Sequence, residues 1–259
     1  MISVVVVYNN EEILRGNLLK SLENQSSKHE LILIDNTKKA FTSASSALNY
    51  GRRLAKGDFV LFVHQDLQLI GNDWLERCEP ILRNAPEKAI FGSAGVTNTG
   101  RLINAGIDAT FLNPSHLLEE VQLLDEGLFI VPKIVLQEFE FDEAFDDWHC
   151  YGADYCLSLK KEGVRSMILN LPIFHNSPRA NPRSNLKREQ LKLWRKHGKD
   201  FGICFTADGV RAADPLTSVI ANVLLRLQFV PVLGLCARYM LLCYLKITRA
   251  LRKTKSRLF

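Results

Sequence analysis

Three short polar clusters each stand where an apolar run has just ended: Tyr8-Asn9-Asn10, Asp35 and His64-Gln65-Asp66. The triplet at 64–66 carries the strongest chemistry. A carboxylate directly after a buried strand, beyond the sheet edge, is well placed to hold a divalent cation. Mg²⁺ or Mn²⁺ takes oxygen ligands, keeps some waters and bridges substrate phosphates through one or two protein carboxylates. Such a cation neutralises charge building on a departing diphosphate. Taken alone, the triplet fits a turn-capping aspartate beside a packed core histidine equally well.

The elements around these clusters decide how they are read. Ile2–Val7 is a β-branched run expected of a strand buried on both faces. Glu11 and Glu12 suit the positive end of a helix, in which Leu14, Leu18 and Leu22 recur at every fourth position. Leu31–Ile34 reads as a second strand, ending at Asp35. Thr42 or Ser43 can cap the next helix, and Gly57 stands where a terminating glycine belongs. Phe59–Val63 is the third strand, and His64 follows at once. This β-α-β-α-β order predicts an α/β fold with a parallel, doubly wound sheet and right-handed crossovers. Ligands of such sheets sit beyond the carboxyl ends of the strands, which is where all three clusters fall.

Further on, Asn72 or Asp73 can cap a helix, and Leu128–Val131 is a strand candidate between Gly127 and Pro132. A helix is expected from Asp154 to Gly163, then a strand near 166–171, with Pro172 and His175 beyond it.

The stretch 47–66, ALNYGRRLAKGDFVLFVHQD, resembles the inverting family 2 glycosyltransferases of the GT-A fold. Their pattern of A-x-N-x-G, A-x-G, an acidic residue, an apolar strand and D-x-D is matched by Ala47, Asn49, Gly51, Ala55, Gly57, Asp58 and Asp66. The opening ISVVVVYNNEEIL and ILIDN at 32–36 resemble the family's nucleotide-binding start. The resemblance covers about residues 2–66 and 138–177. It implies a GT-A domain over 1–213 that binds a nucleotide-diphosphate sugar with Mn²⁺ or Mg²⁺. Tyr8, Asn10 and Asp35 would contact nucleobase and ribose, with Asn49 and Gly51 close to the donor. His64 and Gln65 would join that donor site, and Asp66 would bind metal. His64 replaces the first aspartate of D-x-D, as in an HQD-type bacterial subgroup. It could ligate, bond to diphosphate or only pack.

A second constellation is FDEAFDDWHCYGADYCLSL at 141–159. Inverting transfer needs a base to deprotonate the acceptor hydroxyl. The stretch resembles the family's acidic helix start, with Asp154 in place of its second carboxylate and Gly152 where relatives carry the first. That implies Asp154 as the base, with Asp146, Asp147 and His149 as rivals, and Asp154 as a plain N-cap is compatible with either role. His175 would complete the metal site with Asp66. By the same likeness Asp125 and Glu126, together with His149, would line the acceptor pocket.

Composition limits the setting. At 47% hydrophobic and 24% charged, the chain is that of an ordinary globular protein, so a disordered chain is excluded. The net charge of +5 divides unevenly, with −8 over residues 1–175 and +13 over 176–259. A half this basic suggests an anionic partner, such as a membrane surface or a diphosphate-bearing substrate. No nucleic-acid-binding motif accompanies the charge. From Pro215 to Leu245 the chain is rich in Leu, Val and Ile but broken by Arg226, Pro231, Gly234 and Arg238. The unbroken stretches fall short of the roughly 18–20 residues of a spanning helix. The segment 214–259 therefore reads as a helical tail lying on a membrane surface. The six cysteines form no CxxC pair, and the opening residues lack a leader pattern. Together these features point to a cytoplasmic location at the inner membrane face, and the family resemblance joined to the basic, apolar tail implies a lipid-linked saccharide acceptor in surface-polysaccharide assembly. A nucleotidyltransferase would need a glycine-rich basic loop near the start, and Tyr8–Glu12 is the opposite. A catalytically inactive membrane scaffold with the same fold is the other alternative.

Overall fold

The structure, a computed structural model, describes residues 1–106, 114–176, 185–201, 203–206 and 209–212. The expected tail at 214–259 lies outside the described residues. The chain opens with β1 (Ile2–Tyr8), followed by α1 (Glu11–Leu14), a π-helical turn (Arg15–Leu19) and α2 (Lys20–Leu22). Next come β2 (His29–Asp35), α3 (Ala44–Leu54) and β3 (Phe59–Val63). β4 (Leu67–Leu69), α4 (Trp74–Asn84), β5 (Ala89–Gly92), β6 (Ala94–Val96) and β7 (Leu102–Asn104) follow. The middle is completed by β8 (Leu118–Val121), β9 (Leu123–Leu124), β10 (Leu128–Pro132), α5 (Lys133–Glu138) and α6 (Tyr151–Lys161). Last are β11 (Arg165–Leu169), β12 (Ile173–His175), α7 (Leu186–Phe201) and a hairpin of β13 (Ile203–Thr206) and β14 (Gly209–Ala212).

Seven strands form the central sheet in the order β2-β1-β3-β10-β5-β11-β8. β1 runs parallel to β2 and β3, and β11 runs parallel to β5, as the β-α-β reading expects. β10 is antiparallel to both β3 and β5, and β8 is antiparallel to β11. The sheet is thus parallel-rich but mixed, with β10 and β8 as the antiparallel members of the mainly parallel sheet expected. β9 and β10 run on in one direction beside β6 and β5, with Leu123 opposite Val96, Leu124 opposite Gly95, Phe129 opposite Gly92 and Ile130 opposite Phe91, so β10 keeps the antiparallel sense of the β6–β9 pair.

Alternation along the strands divides the core between the two faces. Val5, Ile32, Ile34, Val60 and Phe62 pack with residues of α3 and α6. Val4, Val6 and Leu61 pack on the other face with Leu14, Leu18, Trp74 and Leu75. Ser43 caps α3 as expected, its hydroxyl accepting from the Ser46 N–H at 3.3 Å. Gly57 is not a helix terminator. α3 ends at Leu54, and Gly57 instead lies against β1, where a Cβ would come within 2.7 Å of the Ser3 hydroxyl and the Met1 carbonyl. α6 begins at Tyr151, three residues before the expected start, so Asp154 sits inside the first turn and does not cap it.

Gly51 brings α3 onto the sheet. A Cβ there would stand 2.4 Å from Val5 Cγ1 and 2.8 Å from Ile34 Cδ1. Gly51→Ala should therefore lower stability by about 1–3 kcal/mol through overpacking, read as a lower urea midpoint. An unchanged midpoint would disprove the tight approach.

Candidate functional site

Asp66 leaves β3 and enters β4, which pairs antiparallel with β12 so that His175 lies opposite Leu67. The Asn176 N–H donates to the Asp66 carbonyl at 2.9 Å and closes the end of this ribbon. His175 Nε2 consequently stands 3.3 Å from Asp66 Oδ1, and the rings of His64 and His175 lie 5.9 Å apart. One ligand atom from each of His64, Asp66 and His175 falls within 4.8 Å of the others. Ligands bound at about 2.1 Å to one cation stand about 3–3.5 Å apart, so small side-chain rotations bring all three onto an ion. The donor set fits a divalent cation. With two imidazoles, it suits Mn²⁺ better than Mg²⁺.

Burial lowers the His64 pKa and favours the neutral imidazole that a metal ligand requires. Burial also opposes charge on His175 and Asp66, but each is outweighed by the other. The carboxylate raises His175, and the bond from His175 holds Asp66 below the usual carboxylate range. The two charges sustain each other.

Tyr151, at the start of α6, orients His64. Its hydroxyl donates to the Glu126 carbonyl at 3.2 Å and lies 3.4 Å from His64 Nε2. A carbonyl can only accept, so the tyrosine proton points to Glu126 and its oxygen accepts from His64. His64 then carries its proton on Nε2 and presents the Nδ1 lone pair. Asn17, buried in the π-helical turn, acts on the other side. Its Oδ1 accepts from Gln68 Nε2 at 2.9 Å and from Asn176 Nδ2 at 3.2 Å, fixing the chain beside His175. Neither Tyr151 nor Asn17 had a sequence signal that separates it from an ordinary helix residue. Local π-helix, often found at functional sites, shows only in three dimensions.

The residues expected at the donor divide into two groups. Tyr8 and Asp35 are register partners at the carboxyl ends of β1 and β2. Thr37 donates its hydroxyl and backbone N–H to the exposed Asp35 carboxylate and holds its pKa down. Asn10 caps α1, accepting from the Ile13 N–H at 3.1 Å. Gln65 Oε1 accepts from the N–H groups of Asn9 and Asn10, both at 3.0 Å, and so straps the β1–α1 turn to the end of β3. These four residues share one sheet edge with Asp66. Asn49 and Gly51 do not. Asn49 is fully buried, and its amide both donates to and accepts from the backbone of Phe141, at 2.8 and 3.0 Å. Their part of the motif packs α3 against the sheet.

Asp125, Glu126 and His149 are brought together as expected, lining one cavity of about 130 Å³ with an otherwise mainly apolar wall that includes Val96, Ile103 and Leu186. Asp154 is not among its lining residues. That carboxylate is 2% exposed and points to α7, where His197 Nε2 lies 2.7 Å from Oδ1 and Lys196 Nζ lies 2.9 Å from it. Of the rivals, His149 lines the cavity, whereas Asp146 pairs with Arg188 at 2.8 Å and Asp147 accepts from the Trp148 N–H at 2.6 Å.

Removing the Tyr151 hydroxyl should loosen His64 and weaken Mn²⁺ binding about 10-fold in Tyr151→Phe, the usual effect of losing an outer-shell partner. Asp66→Ala should abolish binding while leaving the fold intact. Titration calorimetry with Mn²⁺ reads both, and full affinity in Asp66→Ala would remove the metal assignment.

No family model matches the sequence, and neither does any curated protein. Solved structures do share the fold. GalNAc-T7, solved with UDP, GalNAc and Mn²⁺, aligns at a TM-score of 0.59 and 11% identity over 78% of this chain and 48% of its own. The chain thus spans about half the length of that relative. A mannosyltransferase from Pyrobaculum calidifontis, solved with GDP-Man and Mn²⁺, aligns at 0.56 and 14% over 99% of this chain and 79% of its own. TarS of S. aureus aligns at 0.52 and 16% over 75% of this chain and 38% of its own. At these identities the likeness is one of architecture. The chain has the mixed α/β fold, with its parallel-rich central sheet, that these GT-A glycosyltransferases share.

Proposed function

We propose that the protein is a metal-dependent glycosyltransferase that moves a sugar, with inversion, from a nucleotide-diphosphate donor to a hydroxyl. The observation that carries this reading is the His64, Asp66 and His175 cluster at the same sheet edge as Tyr8 and Asp35. Nucleobase and ribose would lie along the ends of β1 and β2, and the diphosphate would reach toward Asp66. A bound cation would supply compensation for the negative charge that develops on the departing diphosphate. The neighbours of like fold support the reading, two of them having been solved with a nucleotide or nucleotide sugar and Mn²⁺. The acceptor would enter the cavity of Asp125, Glu126 and His149, whose apolar wall suits a partly apolar molecule such as a lipid-linked saccharide. Among the described residues no helix is long and apolar enough to cross a membrane. The apolar, basic segment 214–259 supports a peripheral attachment to the inner membrane face.

A thermal-shift screen of UDP-, GDP- and dTDP-sugars tests the donor. The matching nucleotide sugar should stabilise the fold by about 2.7 kcal/mol at a hundred times Kd, and only with Mn²⁺ present. EDTA should abolish the shift, and no shift with any donor would overturn the reading. Deleting 214–259 should move the protein from the membrane to the soluble fraction, and unchanged fractionation would refute the attachment.

A further inference from the structure

Three carboxylates stand near the start of α6, and their surroundings sort them. Asp154 is committed to His197 and Lys196 and lies outside the cavity. Asp125 is exposed and accepts from the Gly127 N–H at 3.0 Å, closing a tight turn. Glu126 lies in the cavity wall, and its Oε1 accepts the Gly152 N–H at 3.1 Å in the first turn of α6.

Gly152 explains why Glu126 can reach that position. A Cβ at 152 would come within 2.9 Å of Glu126 Cγ and within 2.6 and 2.8 Å of the Phe129 ring. Phe129 is buried in the core and cannot yield, so a side chain at 152 would evict Glu126. A carboxylate from the β9–β10 loop thus stands at the helix start where the family resemblance expects an acidic side chain from position 152. The same loop is stitched to the cation ligands. The Glu126 carbonyl accepts from Tyr151, and the Gly127 carbonyl accepts the His64 N–H at 3.0 Å.

From this geometry we propose that Glu126 is the general base of the transfer, with Gly152 as the residue that makes room for it. The inference rests on the transfer reaction proposed above. The acceptor hydroxyl gives its proton to the Glu126 carboxylate as its oxygen bonds to the anomeric carbon. The bond from that carbon to the diphosphate oxygen breaks, and its electron pair leaves with the nucleoside diphosphate. Glu126 then releases the proton to solvent, and the cycle needs no other reactant. Asp154 is a positioning residue that docks α7 on α6.

Glu126→Gln tests this, because a glutamine oxygen can still accept from Gly152 while the base is lost. The assay is release of UDP or GDP from UDP-GlcNAc, UDP-GalNAc or GDP-mannose with Mn²⁺, water serving as acceptor. Turnover should fall at least about 100-fold, the usual share of a general base, with donor and Mn²⁺ affinities unchanged. The acid limb of the pH–rate profile should disappear. Formate should partly restore turnover in Glu126→Ala by taking the vacated place. Asp154→Asn should lower the melting temperature more than it lowers turnover. Near-normal turnover with an intact acid limb in Glu126→Gln would overturn the assignment, and so would a 100-fold loss in an undestabilised Asp154→Asn. In either case the glycosyltransferase reading would stand. A wild type that binds no donor would remove both.

Discussion

The β4–β12 pairing is the constraint on which the rest of the site depends. It carries no catalytic group of its own between its ends, yet it decides that His175 meets Asp66. Backbone hydrogen bonds set the register, and a slip of one residue would turn His175 to the opposite face. The Asn176 bond to Asp66 and the Asn17 contacts to Gln68 and Asn176 hold that register from both sides. The electrostatics then follow from position. A buried carboxylate and a neighbouring imidazole each make the other's charge tolerable, an arrangement a divalent cation can take over.

The two carboxylates near α6 show how similar groups acquire opposite duties. Asp154 is surrounded by cations and excluded from solvent, so it fastens one helix to another. Glu126 accepts the Gly152 N–H at the edge of a cavity, which orients its carboxylate along the wall. A charge already paired with lysine and histidine has little left to offer a substrate, whatever motif it belongs to.

Much of this was legible in the sequence. The apolar runs at 2–7, 31–34 and 59–63 named the first three strands, because buried strands need continuous β-branched and aromatic residues. The clusters behind them followed from where such sheets bind ligands, and the joining of Asp66 with His175 came from the family resemblance. The antiparallel setting of β10 was hidden, since a buried strand reads alike in either direction. Asn49 and Gly51 serve packing in this fold, and a packing requirement and a binding requirement leave the same residue types in a motif. Asn49 donates to the Phe141 carbonyl and to Glu143 Oε1 and accepts from the Phe141 N–H, contacts more than ninety positions away that no local pattern encodes.

β10 is bonded to neighbours on both edges and buried along its length, while β12 pairs with β4 and ends at a solvent-facing histidine. The small ribbon is nonetheless no loose appendage. Leu67, Leu69 and Ile173 turn inward and join the same core cluster as Leu128 and Ile130 of β10. Opening the ribbon would expose those side chains, so the His64, Asp66 and His175 cluster is carried on packed core and shares the lifetime of the fold.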